Sequence, residues 1–120
     1  MNSSTAPASH RIAARYFEMW NTGDSSIAAE ILHPAWIDHA HPEVTGPHAV
    51  QLAVEQTRAA QPDLRFRIDA ILGDGDLVAV AGTASRGSPP SPAAPSLIWL
   101  IRLQDGQLAE MWTYRNTAGS

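Results

Sequence analysis

The second half of the chain has the pattern of four successive strands, and this pattern limits the fold more than any other feature. Leu64, Phe66 and Ile68 alternate with polar residues, as side chains do on a half-buried strand. Asp105 and Gly106, before the last strand, form a strong hairpin turn signal. The pattern predicts an antiparallel meander, with strands over residues 64–69, 77–85, 96–103 and 108–116.

Between the second and third of these strands lies a proline-rich segment. Residues 86–95 contain four prolines, which excludes a central strand because proline cannot donate to the ladder of hydrogen bonds. We expect this segment to be a long exposed hairpin loop.

Three helices and one strand are predicted before the meander. The first helix covers about residues 10–20, with Ser9 as its N-cap and one apolar face. A short second helix follows Asp24 and ends at His33-Pro34, because a residue before proline avoids the α region. A strand over residues 36–42 leads to a third helix, which Thr45-Gly46-Pro47 opens.

These elements predict an α+β fold, because a sheet with one apolar face needs cover and amphipathic helices supply it. A curved antiparallel sheet wrapped around the three N-terminal helices would form a cone-shaped pocket. We expect residues 1–8 to be a disordered tail and residues 9–120 to be one domain, since 120 residues is an ordinary domain length.

Composition excludes several classes of function. The net charge of −4 argues against nucleic-acid binding, and no apolar run is long enough for a membrane span. The first nine residues lack the basic start and the apolar core of a signal peptide, so we expect a cytoplasmic protein. Since the chain contains neither Cys nor Lys, thiolate and Schiff-base chemistry are excluded.

One predicted strand carries a carboxylate and imidazoles among apolar neighbours. Trp36 and Asp38 point to one face of a regular strand, and His39 and His41 to the other. His39 is the best proton donor or acceptor by residue type, and Asp38 is a base if burial raises its pKa. Both cannot face one pocket unless a bulge intervenes, so the choice stays open.

Short motifs occur in order along nearly the whole chain, and together they resemble the SnoaL-like polyketide cyclases. That family shares a cone-shaped fold with ketosteroid isomerase, scytalone dehydratase and limonene epoxide hydrolase. The motifs are Trp-Asn-Thr-Gly-Asp at 20–24, Asp38-His39, Gly46, Gln-Pro-Asp-Leu at 61–64, Gly82-Thr83 and Asp-Gly-Gln-Leu-Ala-Glu-Met-Trp at 105–112.

The resemblance implies an enzyme that needs neither cofactor nor metal and acts on polyketide-like intermediates. Such enzymes abstract a proton next to a carbonyl and direct an intramolecular aldol closure. The family's general acid/base is an Asp four residues after the last-strand Trp, where this chain has Asn116. Met111 stands where the family has a His. The resemblance therefore favours the fold more strongly than the standard mechanism.

The last predicted strand supplies further candidates. Trp112, Tyr114 and Asn116 share one face by alternation, and Asn116 can donate a hydrogen bond to a substrate oxygen without taking a proton. Alternatively, Asn116 only ends the strand. Glu110 falls on the same face, where it either replaces the missing carboxylate or pairs with an arginine.

Helix and core residues complete the expected site. In related cone folds a tyrosine from the first helix donates a hydrogen bond to substrate, and Tyr16 has that position; ordinary core packing is the alternative. The residues expected to line the pocket and bind substrate with Tyr16 are Trp20, Trp36, Trp99, Met111, Trp112 and Tyr114. His39 and His41 lack a clear third ligand, so no metal site is expected.

Two functions remain open from the sequence. One is a cyclase, isomerase or dehydratase that uses acid/base catalysis or conformational control on a small hydrophobic, oxygenated substrate. The other is a non-catalytic ligand-binding or accessory protein with the same fold. Leu97 and Trp99 alternate with Ile98 and Leu100, so this strand is apolar on both faces, which predicts a homodimer or higher homo-oligomer.

Overall fold

The structure, a computed structural model, describes residues 7–73, 75–85 and 96–115. Three helices and five strands alternate in the predicted order within these residues. Their bounds are α1 Ala8–Thr22, α2 Ile27–Ile31, β1 Leu32–Asp38, α3 Gly46–Ala60, β2 Arg65–Leu72, β3 Leu77–Ser85, β4 Ser96–Gln104 and β5 Gln107–Arg115.

The five strands form one curved, unclosed sheet in the order β1-β5-β4-β3-β2. Strands β2 to β5 pair antiparallel, which confirms the predicted meander. Strand β1 joins the sheet in parallel with β5, with Asp38 opposite Met111. The α+β class and the curved sheet covered by helices are confirmed.

The core lies between the helices and the inner face of the sheet. Phe17 of α1 packs against the rings of Phe66 and Trp99, with centroid distances of 5.8 and 4.6 Å. Ile101 of β4 and Val54 of α3 are fully buried nearby. Burial of side chains of this size stabilises the fold by about 2 kcal/mol each, so the helix stripe and the inner sheet face hold each other in place.

Asn21 ties the end of α1 to the first meander strand. Its side-chain amide donates to the carbonyl of Phe66 at 2.8 Å, and its side-chain oxygen accepts the Phe66 N–H at 2.7 Å. The amide thus satisfies both backbone groups of one residue, as a neighbouring strand would. This pair of bonds explains why an asparagine stands at the end of α1.

The first helix begins earlier than its apolar pattern predicts. It starts at Ala8, and the Pro7 carbonyl accepts the N–H groups of His10 and Arg11 at 3.0 and 3.1 Å. Ser9 is therefore inside the helix rather than at its N-cap, and its buried hydroxyl has no hydrogen-bond partner among the described residues.

The second helix ends before the residues expected to stop it. It stops at Ile31, and His33 and Pro34 already belong to β1. Proline is tolerated there because β1 is an edge strand.

Parts of two expected segments cannot be compared with the structure. Residues 1–6 of the expected tail and the expected loop at 86–95 lie outside the described residues. Ala8, the last residue of that tail, is helical. None of the helices in the described parts of the chain is both long and apolar enough to cross a membrane.

Gly82 of β3 is expected to tolerate no side chain. It faces Ile68, next to a register shift in β2, and an added Cβ would lie 2.1 Å from the Arg67 carbonyl oxygen. We expect Gly82→Ala to lower the free energy of unfolding by more than about 2 kcal/mol, because the two strands must separate. Urea denaturation measures this loss.

Gly106→Ala is the matched control. Gly106 has a φ of +76°, yet nothing lies within 4 Å of an added Cβ. Its substitution costs only the backbone strain, about 1 kcal/mol. Equal losses from the two variants would contradict the close approach at Gly82.

Candidate active site

A cavity of about 560 Å³ opens between α1, α3 and the inner face of the sheet. Its volume suits a drug-sized organic molecule. Buried aromatic and apolar side chains form its deeper part, and exposed residues form its mouth. The mouth residues are Ala40, His41, Gln56 and Arg115.

Strand alternation decides which polar groups enter this cavity. Trp36 and Asp38 of β1 line it, as do Met111 and Thr113 of the neighbouring strand β5. Asp38 pairs with Met111 across the two strands, so both side chains project from the same face of the sheet. His39 follows Asp38 and therefore projects from the other face.

Asp38 is the buried carboxylate of the cavity, with 7% of its surface exposed. Burial raises the pKa of Asp38, because a charged carboxylate loses its hydration there. A hydrogen bond from the Ala40 N–H to Oδ1, at 2.9 Å, and the nearby His41 and His39 partly oppose this rise. The result is a carboxylate that is a stronger proton acceptor than an exposed one.

Tyr16 of α1 is the phenol that faces the same cavity. Its ring contacts those of Phe17 and Trp36, at centroid distances of 5.2 and 5.5 Å. Burial and the negative charge of Asp38 raise the pKa of Tyr16, and a hydrogen bond with the Trp20 side chain lowers it in part. The phenol therefore stays protonated and can donate a hydrogen bond to an oxygen in the cavity.

The cavity wall is aromatic where it is deepest. Trp36 and Trp99 are 1% and 4% exposed, and Phe66 contacts the Trp99 ring at 5.9 Å. The Trp36 indole nitrogen is buried and has no hydrogen-bond partner among the described residues. Flat aromatic or polycyclic molecules match such walls in shape and polarity.

Comparison with known proteins places this cavity in a family. A family model described as the SnoaL-like domain matches residues 13–111. This chain belongs to the SnoaL-like family. No curated protein matches its sequence significantly.

Several solved structures share the fold of this chain. IdmH from Streptomyces antibioticus, a candidate polyketide cyclase, is 26% identical with a TM-score of 0.67, and the match covers 91% of this chain and 92% of IdmH. A candidate polyketide cyclase from Acidithiobacillus ferrooxidans is 20% identical with a TM-score of 0.73, over 99% and 94% of the two chains. TsrD from Streptomyces laurentii is 19% identical with a TM-score of 0.74, over 99% and 93%.

The SnoaL-like cavity brings together most, but not all, of the residues expected to line it. Tyr16, Trp20, Trp36, Trp99 and Met111 all contribute to its wall, together with Asp38. Asn116, the third expected catalytic residue, lies outside the described residues.

Three expected site residues lie on the opposite, outer face of the sheet. The His39 ring stacks on Trp112, with centroids 5.0 Å apart and an interplanar angle of 8°. Tyr114 is exposed beside Ile98. Of the two residues left open by the sequence, Asp38 faces the cavity and His39 does not. Trp112 and Tyr114 were expected to bind substrate, and this expectation is corrected, because adjacent residues of a strand face opposite ways and Met111 and Thr113 face inward.

Glu110 is held on that outer face by contacts with His39 and Arg102, outside the cavity lining. Its carboxylate contacts His39 Nε2 at 2.6 Å and accepts a hydrogen bond from Arg102 Nε at 2.8 Å. These hydrogen bonds lower the pKa of Glu110. Of the two roles expected for this residue, pairing with an arginine is the one that its contacts match.

Metal ligation has no support in the arrangement of ligands. His39 lies on the outer face, whereas His41 lies at the cavity mouth. Across the described ranges, no three His, Asp or Glu side chains are grouped so that they could hold a metal ion.

Sequence reasoning missed the contribution of α3 and of the end of β5. Gln56 and Thr57 line the cavity although the α3 stripe has the spacing of an ordinary core helix. Arg115 lines it as well, and alternation from Met111 through Thr113 is the signal that would have found it.

Asp38→Asn is expected to stabilise the protein near neutral pH. Since burial raises the pKa of Asp38, its carboxyl keeps the proton to higher pH in the folded state than in the unfolded state. The free energy of unfolding therefore falls as the pH rises from the unfolded-state pKa through the folded-state pKa. Asparagine removes that loss and can still accept the Ala40 N–H. We expect a gain of up to about 1 kcal/mol at pH 7 that narrows as the pH falls to about 4. Urea denaturation across pH measures it.

Asp63→Asn serves as the control, because Asp63 is an exposed carboxylate outside the cavity. It should give no comparable gain. A wild type that is more stable than Asp38→Asn at neutral pH would contradict the unfavourable ionisation of Asp38.

Proposed function

We propose that this protein is an acid/base cyclase or isomerase for a hydrophobic, polyketide-like carbonyl compound. The observation that carries the proposal is the buried Asp38 carboxylate, which shares an apolar, aromatic cavity with the protonated phenol of Tyr16. A base and a hydrogen-bond donor in one water-poor site are what proton abstraction next to a carbonyl requires.

Asp38 is the proton acceptor of the proposed reaction. Its ionised carboxylate removes a proton from the carbon next to a substrate carbonyl, and the electrons of the C–H bond form the enolate. In a cyclisation, the enolate carbon attacks a second carbonyl of the same molecule. The new alkoxide then takes the proton back from Asp38, so the side chain returns to its starting state.

Tyr16 stabilises the negative charge that develops on the substrate oxygen. Its O–H is retained because burial raises the pKa of the phenol. A fixed donor in a low-dielectric cavity favours the enolate more than a water molecule does, since its dipole is already oriented. The aromatic walls around Trp36 and Trp99 hold the chain of the substrate in a folded shape, which adds conformational control.

The substrate class follows from the walls and from the family. Apolar and aromatic side chains make up most of the cavity lining, so the substrate is largely apolar with a few oxygens. IdmH, whose sequence is 26% identical, is named for polyketide cyclase activity. Every group used in the proposed step is a side chain of this protein.

Exchange of carbon-bound protons tests the proposal without the natural substrate. The bicyclic ketone 2-tetralone has acidic protons beside its carbonyl, and NMR follows their replacement in D2O. We expect the wild type to accelerate this exchange and Asp38→Asn to reduce the enzymatic rate at least about 100-fold. Tyr16→Phe should reduce it about tenfold or more, because the oxyanion loses a donor.

His39→Gln is the matched control, because it changes an imidazole on the other face of the sheet. It should leave the exchange rate within about twofold of the wild type. The rate should rise with pH as Asp38 ionises. If His39→Gln removes exchange and Asp38→Asn does not, the assignment of the base is wrong.

The same measurement separates catalysis from simple binding. Tetralone that binds in the cavity without any protein-dependent exchange would favour the non-catalytic ligand-binding function. A panel of polyketide intermediates analysed by mass spectrometry would then show bound but unchanged ligand. Turnover that persists in Asp38→Asn would favour conformational control as the main source of catalysis.

We further propose that the outer face of the sheet pairs with a second copy of the chain. Ile98 and Tyr114 lie opposite each other there and are 42% and 54% exposed. Leu77, at the start of β3 and opposite Arg102, is 50% exposed. Leu100 and Trp112 pair with each other beside them and are half-buried. An apolar surface that continues over three strands is typical of an interface.

Sedimentation tests this assembly. We expect the wild type to sediment as a species of at least twice 12.9 kDa, and Ile98→Glu to sediment as a monomer, since it places a charge on the apolar face. Leu52→Glu is the matched control, because Leu52 is 45% exposed but lies on α3. A wild type that is monomeric at all concentrations would contradict the dimer.

A further inference from the structure

Arg115 places a permanent positive charge at the mouth of the cavity. It is the last residue of β5, and it lines the cavity from the same strand face as Met111 and Thr113. Its backbone is paired with Leu97 of β4, which fixes the point where the side chain leaves the sheet. Since a guanidinium does not lose its proton in proteins, this charge is present at every physiological pH.

Arg115 differs from the other described arginines because its guanidinium has no ion pair or hydrogen bond with another described residue. Arg15, Arg67 and Arg102 each pair with a carboxylate, at 2.7, 3.0 and 2.8 Å. Backbone carbonyl oxygens accept hydrogen bonds from two more, Arg58 and Arg65, and Arg11 also has a partner. Within the described ranges, Arg115 has neither an ion pair nor a hydrogen bond of this kind.

The charged side chains that line the cavity favour an anionic group of the ligand at one position, the cavity mouth. Asp38, His41 and Arg115 are the acidic and basic side chains among the described lining residues. His41 already has Glu43 at 3.8 Å. The carboxylate of Asp38 lies deep in the cavity, whereas Arg115 is exposed at its edge. An anionic group on the ligand would therefore be favoured at the mouth and disfavoured near Asp38.

The strand geometry gives the distance along β5 between the position opposite Asp38 and Arg115. Met111 lies opposite Asp38, and Arg115 is four residues further along β5. At a rise of about 3.3 Å per residue, the two levels are about 13 Å apart along the strand. The reach of the arginine side chain shortens this distance, so it matches a framework of two or three fused rings.

We propose that Arg115 binds a carboxylate at one end of the substrate while the reacting carbonyl lies at the other end beside Asp38, which rests on the proposed function. The substrate is thus a polyketide-like acid rather than a neutral ester or amide. The planar guanidinium matches a carboxylate with two parallel hydrogen bonds. This contact also sets the direction in which the molecule enters the cavity.

A matched pair of ligands tests the anchor without any reaction. The probes are 2-naphthoate and 2-naphthamide, which have nearly the same shape but differ in charge, and calorimetry gives the dissociation constant of each. We expect the wild type to bind the carboxylate about tenfold more tightly than the amide. Arg115→Gln should remove this preference, and Arg115→Lys should keep part of it.

Arg67→Gln is the control, because Arg67 is an exposed arginine of the same charge that does not line the cavity. It should keep the full preference for 2-naphthoate. Raising the salt concentration should reduce the preference of the wild type, as expected for a contact at the cavity edge. Equal binding of the two probes by the wild type, or a preference that survives in Arg115→Gln, would overturn the anchor.

The outcome is independent of the proposed chemistry. Binding of the two naphthalene probes needs no proton transfer, so it is measured equally well in Asp38→Asn. If the wild type prefers 2-naphthoate but does not accelerate the exchange of 2-tetralone, the catalytic proposal is wrong, and with it the position of the reacting carbonyl beside Asp38. If the wild type accelerates exchange but binds 2-naphthoate and 2-naphthamide equally, only the proposed carboxylate contact of Arg115 is wrong.

Discussion

The parallel pairing of β1 with β5 is the constraint on which the rest of the site depends. It sets Asp38 opposite Met111, so the carboxylate projects from the inner face of the sheet into the cavity. A slip of one residue would exchange the two faces of β1. His39 would then lie inside, stacked away from Trp112, and Asp38 would lie in solvent with an ordinary pKa.

Two carboxylates on this pair of strands, Asp38 and Glu110, have pKa values shifted in opposite directions because they lie on opposite faces of the sheet. Asp38 on the inner face has a raised pKa because it is buried with few compensating charges. Glu110 on the outer face has a lowered pKa because His39 and Arg102 contact it. Since ionisation is opposed at the first and favoured at the second, the proposed function assigns proton transfer to Asp38 and not to Glu110.

The local pattern of the sequence was sufficient for the elements but not for the nonlocal pairing. Alternation at Leu64, Phe66 and Ile68 and the turn at Asp105-Gly106 predicted the meander, because these signals act between neighbours in the chain. No short-range sequence pattern predicts that β1 pairs with β5, because the two strands are more than 60 residues apart in the chain. The choice between Asp38 and His39 depended on that pairing, because the period of two allows only one of them to face the cavity in a strand without a bulge between them.

The proposed base on β1 offers a way for a SnoaL-like cavity to keep a carboxylate although the resemblance predicts the family's acid at Asn116. The resemblance implies an acid four residues after Trp112, and the sequence has Asn116 at that position. Strands β1 and β5 are neighbours, so side chains from the inner faces of both enter one cavity. A carboxylate moved from one strand to the next still reaches the same space, but from another side of the substrate. The substrate must then lie in the direction that brings its reacting carbon to this carboxylate. The proposed contact of Arg115 at the cavity mouth would set that direction.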